Sequence, residues 1–196
     1  MKPFAYFEDP THPLSSWSAE PTTCSICRCD GPAFNGPFYG LDDDVEHVCE
    51  TCLRSGRLEE LELSTCEGDR VALKRQLAES ADLSTADVNR LSRERTVALE
   101  HRTPGLTTWQ DMMWPAHCGD YCRFVEELGQ PEIIQLAGAE DPSTWLAHRA
   151  DGADADLFQY VRQRSARRYP TESYDLTVYR FVCLNCAANV IHWDAS

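Results

Sequence analysis

The chain has 196 residues, 42 % of them hydrophobic and 26 % charged, which is the composition of a globular domain or two small lobes and not of a disordered or fibrous protein. Acidic residues outnumber basic ones 32 to 18, giving a net charge of −14 that argues against a general nucleic-acid binder and favours a soluble surface or a basic partner. No apolar run approaches the ~18–20 residues of a membrane helix, and Met1 to Pro10 lack the apolar core of a signal peptide, so the expected location is the cytoplasm, with no membrane partner.

In a reducing compartment, paired cysteines mean metal more often than disulfide, and this chain carries 10 cysteines. Residues 1–23 set Phe4, Tyr6, Phe7 and Trp17 among prolines and read as an irregular packed arm. Cys24-x-x-Cys27 follows, then 21 residues with the strand-and-turn segment Phe34-Asn35-Gly36-Pro37-Phe38-Tyr39-Gly40, then Cys49-x-x-Cys52. Two residues between cysteines let a tight turn aim both thiolates at one ion, and zinc takes four such ligands in a tetrahedron. Cys24, Cys27, Cys49 and Cys52 are therefore the expected first zinc site, with Cys29 close enough to replace Cys27. Leu53, Leu58 and Leu61 suit a short helix after the second pair. Knuckle, hairpin, pair and helix suggest a treble-clef-like or zinc-ribbon-like module over residues 1–66.

A short helix is expected near Val71–Ala78, and Ser84-Thr85-Ala86-Asp87 resembles a capping box that opens a helix over about 85–101. A further helical stretch is expected over 108–128, kinked or split at Pro115 and carrying Cys118 and Cys122 on one face. Residues 131–138 and 154–166 also read as helical. Leu176–Val182 alternates like a strand, turns at Cys183-x-x-Cys186 and returns through Asn189–Trp193, a β-hairpin with a zinc knuckle at its tip. Cys118 and Cys122 are the remaining pair with suitable spacing, so Cys118, Cys122, Cys183 and Cys186 form the expected second zinc site, with His117 and His192 as possible substitute ligands. The whole reads as an α+β protein stabilised by two Zn²⁺ ions. Its helical middle and terminal hairpin, residues 67–196, pack with the first module as one unit.

Five landmarks carry a family resemblance: Phe4-x-Tyr6 with Asp9-Pro10; the C-x-x-C pairs around Gly36-Pro37-Phe38-Tyr39; Arg102-Thr103-Pro104-Gly105; Trp109 and Trp114 followed by His117-Cys118-Gly119-Asp120-Tyr121-Cys122-Arg123-Phe124; and Tyr179-Arg180-Phe181-Val182-Cys183-Leu184-x-Cys186 with Trp193-x-x-Ser196. Their order resembles the CbrC family, small bacterial proteins named for tolerance to a DNase-type colicin. The resemblance spans nearly the whole chain, is loosest over 66–84 and 130–172, and implies protection against a bacteriocin-like toxin. Zinc knuckles often place Gly just after the second cysteine, where this chain has Arg28 and Ala187.

His117, Cys118 and Asp120 could instead serve as base, nucleophile and orienting acid, or Cys118, Cys183 and Cys186 could hold an open catalytic zinc. Neighbours on a helix point about 100° apart, which makes a His117–Cys118 pair awkward and favours metal ligation. Trp109, Trp114, Trp145 and Trp193 read as core residues more readily than as a binding surface. Arg162, Arg164, Arg167 and Arg168 form the one basic clump, read as a solvated face. The acidic groups at Asp42, Asp43, Asp44 and Glu46, and at Glu59, Glu60 and Glu62, offer a surface that would speed capture of a cationic nuclease. The expected function is thus a non-enzymatic zinc protein of immunity type that binds a basic protein such as a nuclease toxin. A zinc enzyme or thiol protein centred on His117–Cys122 is the alternative, and a nucleic-acid-binding zinc module is the third reading.

Overall fold

The computed structural model describes residues 1–41, 44–80, 82–150, 152–154, 156–161 and 176–195. The fold is α+β. Strand β1 (Trp17–Thr23) runs antiparallel to β2 (Asp30–Asn35), β3 (His47–Cys49) adds to the other edge of β2, and helices α1 (Glu50–Arg54) and α2 (Arg57–Glu60) follow. The end of the expected irregular arm is thus a strand. Its pairing shifts register between Ser18 and Thr22, and Pro21, which has no N–H to donate, sits inside that irregularity, where the ladder does not require one.

Next come β4 (Glu67–Gly68), α3 (Arg70–Ala78) and α4 (Thr85–Glu100). The Asp69 carboxylate accepts the Ala72 N–H at 2.8 Å and caps α3. The Ser84 hydroxyl oxygen accepts the Asp87 N–H at 3.2 Å, as the capping-box reading of α4 requires.

The expected helix over 108–128 does not form. The segment instead makes β5 (Met113–Trp114), β6 (Ala116–His117), β7 (Asp120–Tyr121) and β8 (Arg123–Leu128). Cys118 at φ 53 and Gly119 at φ 74 both occupy the left-handed region. That is the requirement of the tight two-residue hairpin turn that joins β6 to β7. Tertiary pairing overrides the helical spacing: β5 pairs with β4, and β8 pairs with β9 (Leu176–Val182).

Helices α5 (Gln130–Ala137), α6 (Pro142–Arg149) and α7 (Leu157–Tyr160) lead to β9 and β10 (Asn189–Ala195). Of the helix expected over 154–166, residues 157–160 are helical, while 162–166, and with them the whole arginine clump at 162–168, lie outside the described residues. The expected terminal hairpin is present as β9–β10, and β8 extends it to a three-stranded antiparallel sheet in the order β10-β9-β8.

Two apolar clusters form the core. The larger joins Phe7, Phe34, Leu53, Leu73, Phe124 and Phe181, and so draws on both sides of residue 66. The smaller packs α5 and α6 on the terminal sheet through Ile133, Trp145, Leu146, Val178 and Ile191. Trp114 and Trp145 are buried, and Trp109 and Trp193 are half-buried, in keeping with core roles. Among the described residues no helix is long and apolar enough to cross a membrane.

Strand β4 lies tight against β7. A Cβ built on Gly68 would stand 2.5 Å from the Tyr121 phenol oxygen, and that phenol is held at 3.1 Å from the Thr96 hydroxyl. Gly68→Ala is therefore expected to destabilise the fold by about 1–3 kcal/mol, the usual cost of overpacking. Chemical denaturation of the variant beside the parent chain measures it, and equal midpoints would contradict this account of the packing.

Candidate metal centres

The first C-x-x-C pair sits in the turn between β1 and β2, and the second sits where β3 runs into α1. The chain doubles back so that the donor atoms of Cys24, Cys27, Cys49 and Cys52 all lie within 4.8 Å of one another. Cys27 Sγ and Cys49 Sγ are 3.7 Å apart. Tetrahedral zinc with bonds near 2.3 Å separates its sulfurs by about 3.8 Å, so this donor set fits such an ion without rearrangement. Cys24 and Cys52 are buried while Cys27 is exposed, which places the centre at the surface with one wall in the core. The Cys49 N–H also donates to Cys24 Sγ at 3.4 Å.

The turn itself is built from backbone hydrogen bonds. The Cys24 N–H donates to Cys29 O at 2.9 Å, and the Arg28 N–H donates to Cys24 O at 3.0 Å. Closing this loop puts Arg28 at φ 62, a left-handed conformation that glycine adopts more cheaply. The Cys29 backbone N–H then points at Cys27 and holds its thiol down to about 6. Cys29 closes the turn through its main chain. Its own thiol lies 3.9 Å from Cys27 O and is not one of the four grouped donors, so it does not replace Cys27.

The terminal hairpin repeats the arrangement. The Cys183 N–H donates to Ala188 O at 2.9 Å, the Ala187 N–H donates to Cys183 O at 3.0 Å, and Ala187 stands at φ 59. The Ala188 N–H lowers the thiol of Cys186 as the Cys29 N–H lowers that of Cys27. The residues that occupy the usual glycine positions thus take the glycine conformation.

The second donor set differs from the expected one. His117, Cys118, Cys183 and Cys186 have donor atoms within 4.8 Å of one another, and Cys122 is not among them. Cys118 Sγ is 3.7 Å from Cys186 Sγ, and His117 Nδ1 is 3.5 Å from Cys186 Sγ. Spacing of four unites two side chains on a helix, but on extended chain at about 3.3 Å per residue it separates them. Cys118 therefore sits at the tip of the β6–β7 turn, while the Cys122 thiol is fully buried in the larger core. Burial pushes that thiol up to about 12, leaving it a neutral packing group at neutral pH. His117, one of the two substitutes the sequence offered, completes the set. His192, the other, lies 6.5 Å from the Tyr179 ring, centroid to centroid, and is outside it.

Helices α3 and α4 fix the β6–β7 hairpin. Gln76 Nε2 donates to Ala116 O at 2.9 Å, and Gln76 Oε1 accepts the Gly119 N–H at 2.9 Å. Arg95 donates to Gly119 O and lies 3.5 Å from the Asp120 carboxylate. Asp120 also accepts the Tyr6 hydroxyl at 2.9 Å and the Tyr121 N–H at 2.8 Å. Across the centre, Asn185 Nδ2 donates to Cys118 O at 3.0 Å. Asp120 thus anchors the hairpin, its carboxylate engaged by Tyr6, the Tyr121 N–H and Arg95 rather than by the His117 ring. Nothing in the sequence pattern pointed to Gln76 or Arg95, which reach the hairpin from helices some forty and twenty-four positions earlier.

All four thiolates at one cluster, and three thiolates with an imidazole at the other, are donor sets that suit zinc. If His117 is a ligand and Cys122 is not, Cys118→Ser is expected to lose about one zinc equivalent by metal analysis, while Cys122→Ala keeps the parent's metal content. Loss of an equivalent from Cys122→Ala would return that residue to the site. Ala187→Gly relieves a left-handed alanine that costs about 1–2 kcal/mol, offset in part by the looser unfolded chain. It is expected to raise the melting temperature by a few degrees, and a fall would contradict the strain.

Residues 1–195 match the uncharacterised protein family UPF0167. Among curated relatives, the UPF0167 protein PA1536 of Pseudomonas aeruginosa is 31 % identical over 196 residues, covering 98 % of this chain and 96 % of that protein. The UPF0167 protein Mb2317 of Mycobacterium bovis is 27 % identical over 194 residues, covering 97 % and 91 %. The UPF0167 protein MT2352 of Mycobacterium tuberculosis matches with the same values. No solved structure matches the chain. The chain belongs to the UPF0167 family.

Proposed function

We propose that this UPF0167 protein is a cytoplasmic zinc protein that acts by binding, and that its partner is a protein with a basic surface, of the kind a nuclease toxin presents. One Zn²⁺ ion belongs to Cys24, Cys27, Cys49 and Cys52, in a treble-clef-like module, and a second to His117, Cys118, Cys183 and Cys186. The observation that carries the reading is that each cluster offers four protein donors. A zinc with four protein ligands has no open position for substrate and serves structure. The enzymatic alternative wants His117 as a base oriented by Asp120, and the Asp120 carboxylate is engaged by Tyr6 and Arg95 instead.

The partner's chemistry is inferred from charge. Tyr39 and Ser64 form an isolated antiparallel bridge, which sets the start of the loop that carries Asp44 and Glu46 beside the segment that carries Glu62. All three of these side chains are exposed. Glu59 and Glu60 contribute less, since Arg102 and Arg57 lie 3.6 and 3.2 Å from them. Asp42 and Asp43 lie outside the described residues. Such a surface raises encounter rates with a cationic partner, while affinity comes from buried contacts. The resemblance to the CbrC family supplies the biological class, tolerance to a DNase-type toxin.

The test has two stages. Cells that express the chain are challenged with a DNase-type colicin, and the purified chain is then titrated with the toxin's nuclease domain. Protection together with direct binding is expected, and the lack of either overturns the immunity reading. With Asp44→Asn, Glu46→Gln and Glu62→Gln combined, association is expected to slow by about threefold to tenfold at low salt and little at high salt, where screening already weakens the field. Equal association rates at low salt would remove the acidic-surface mechanism.

A further inference from the structure

A cavity of about 320 Å³ opens beside β4 and β5, between the Tyr39 loop, the start of α3 and the chain leading into β5. None of its lining residues is a donor of either metal cluster. One wall is apolar, made by Leu106, Met112 and Trp114. At its base the Glu100 carboxylate, 3 % exposed, receives both the Arg70 guanidinium and the Gly68 N–H. Arg70 is thereby neutralised by a buried partner and offers little attraction to an anion.

Glu67 and Asp111 supply the remaining charge of the lining. Both are exposed, and Glu67 stands near enough to Arg70 to add to the Glu100 carboxylate in holding that guanidinium charged. Three carboxylates thus share the cavity with one guanidinium, which leaves its lining net negative. The Tyr39 phenol stands among them, its pKa raised first by burial and then by the charge of Asp111. Burial pushes the Cys66 thiol up to about 12, so at neutral pH it is an uncharged wall and not a nucleophile.

We propose that this cavity is a binding site for a guanidinium or primary ammonium group carried on a short apolar stem. The cationic head donates hydrogen bonds to Asp111 and Glu67, and the stem lies along Leu106 and Met112. Its size falls at the lower end of the range that small-molecule sites occupy, roughly 300–1,000 Å³. The site stands on the cavity and its charges and does not depend on the toxin-binding reading. Two sources of the cation share this chemistry, a free small molecule and an arginine or lysine side chain of a partner protein.

The test uses the full zinc-loaded chain, with backbone amide shifts followed by NMR. Butylguanidinium is the probe, butylurea is its neutral isostere, and acetyl-Gly-Arg-Gly-amide presents the same head on a peptide. Butylguanidinium is expected to shift amides of residues 64–70 and 106–114 and to bind at least about tenfold more tightly than butylurea, as a charged hydrogen-bonded head group requires. Asp111→Asn and Glu67→Gln, both at exposed positions, are expected to weaken it several-fold each without lowering the melting temperature. Equal affinity for butylurea, shifts that map elsewhere, or unchanged affinity in both variants would overturn the site. Tighter binding of the peptide than of butylguanidinium assigns the cation to a partner's side chain, and equal or weaker binding assigns it to a free molecule.

Discussion

A tetrahedral ion with bonds near 2.3 Å asks for donors about 3.8 Å apart, and both donor clusters of this chain are spaced to meet that demand. Each C-x-x-C turn meets it by turning one residue left-handed, Arg28 in the first and Ala187 in the last. The second centre adds a longer-range demand, since the tip of the terminal hairpin must reach the tip of the β6–β7 hairpin. Pairing of β8 with β9 delivers it: Arg123 lies opposite Val182, so the residues just before β8 and just after β9 fall at the same end of the sheet. Gln76, Arg95 and Tyr6 then hold the β6–β7 hairpin from three other parts of the chain. The second centre is consequently a meeting point of the N-terminal arm, both middle helices and the terminal sheet.

The same demand bears on stability. A structural zinc in a small module contributes apparent binding energy of about 10–16 kcal/mol at neutral pH, comparable to or larger than the net stability of a whole domain, about 5–15 kcal/mol. Among the described residues the first module has three short strands and two helices of 5 and 4 residues. Its apolar anchors Phe34, Val48, Leu53 and Leu58 are fully buried, but they belong to a cluster completed by Trp114, Phe124 and Phe181 from outside the module. A metal bound by the four thiols would close the module locally, and the shared core seats it on the rest.

Where local chemistry decides the structure, the sequence was readable. The C-x-x-C pairs, the Ser84 cap and the alternation of the terminal hairpin each declare themselves within a few residues, and each appears at its expected place. Where a distant partner decides, the local pattern misled. Residues 108–128 carry apolar groups at helical intervals, yet the partner that makes β8 a strand comes some fifty residues later, at β9. Exchange of Cys122 for His117 follows from that one difference, since helical and extended chain send residues four apart to different places. Pro21 hid β1 in the same way, because the irregular pairing that tolerates it depends on β2. Helix α6 did leave a signal that was not read: Asp141 before Pro142, whose carboxylate accepts the Thr144 N–H at 3.0 Å.

Charge gives a physical reason for the two clusters to offer different donor sets. Zinc on four thiolates carries two negative charges, and zinc on three thiolates and an imidazole carries one. In a chain already at −14, each extra negative centre adds self-repulsion. At the first centre, the residue after the second cysteine of the turn is Arg28, a cation within one residue of the donor Cys27. At the second centre the equivalent residue is the neutral Ala187, and the hairpin that supplies two donors also carries the Asp120 carboxylate. A fourth thiolate there would set two negative charges beside that carboxylate with Arg95 as the nearby counter-charge, at 3.5 Å from Asp120. With zinc bound there, the imidazole of His117 would halve the charge of the centre and leave Arg95 to balance Asp120, which in turn keeps the hairpin oriented toward the terminal knuckle.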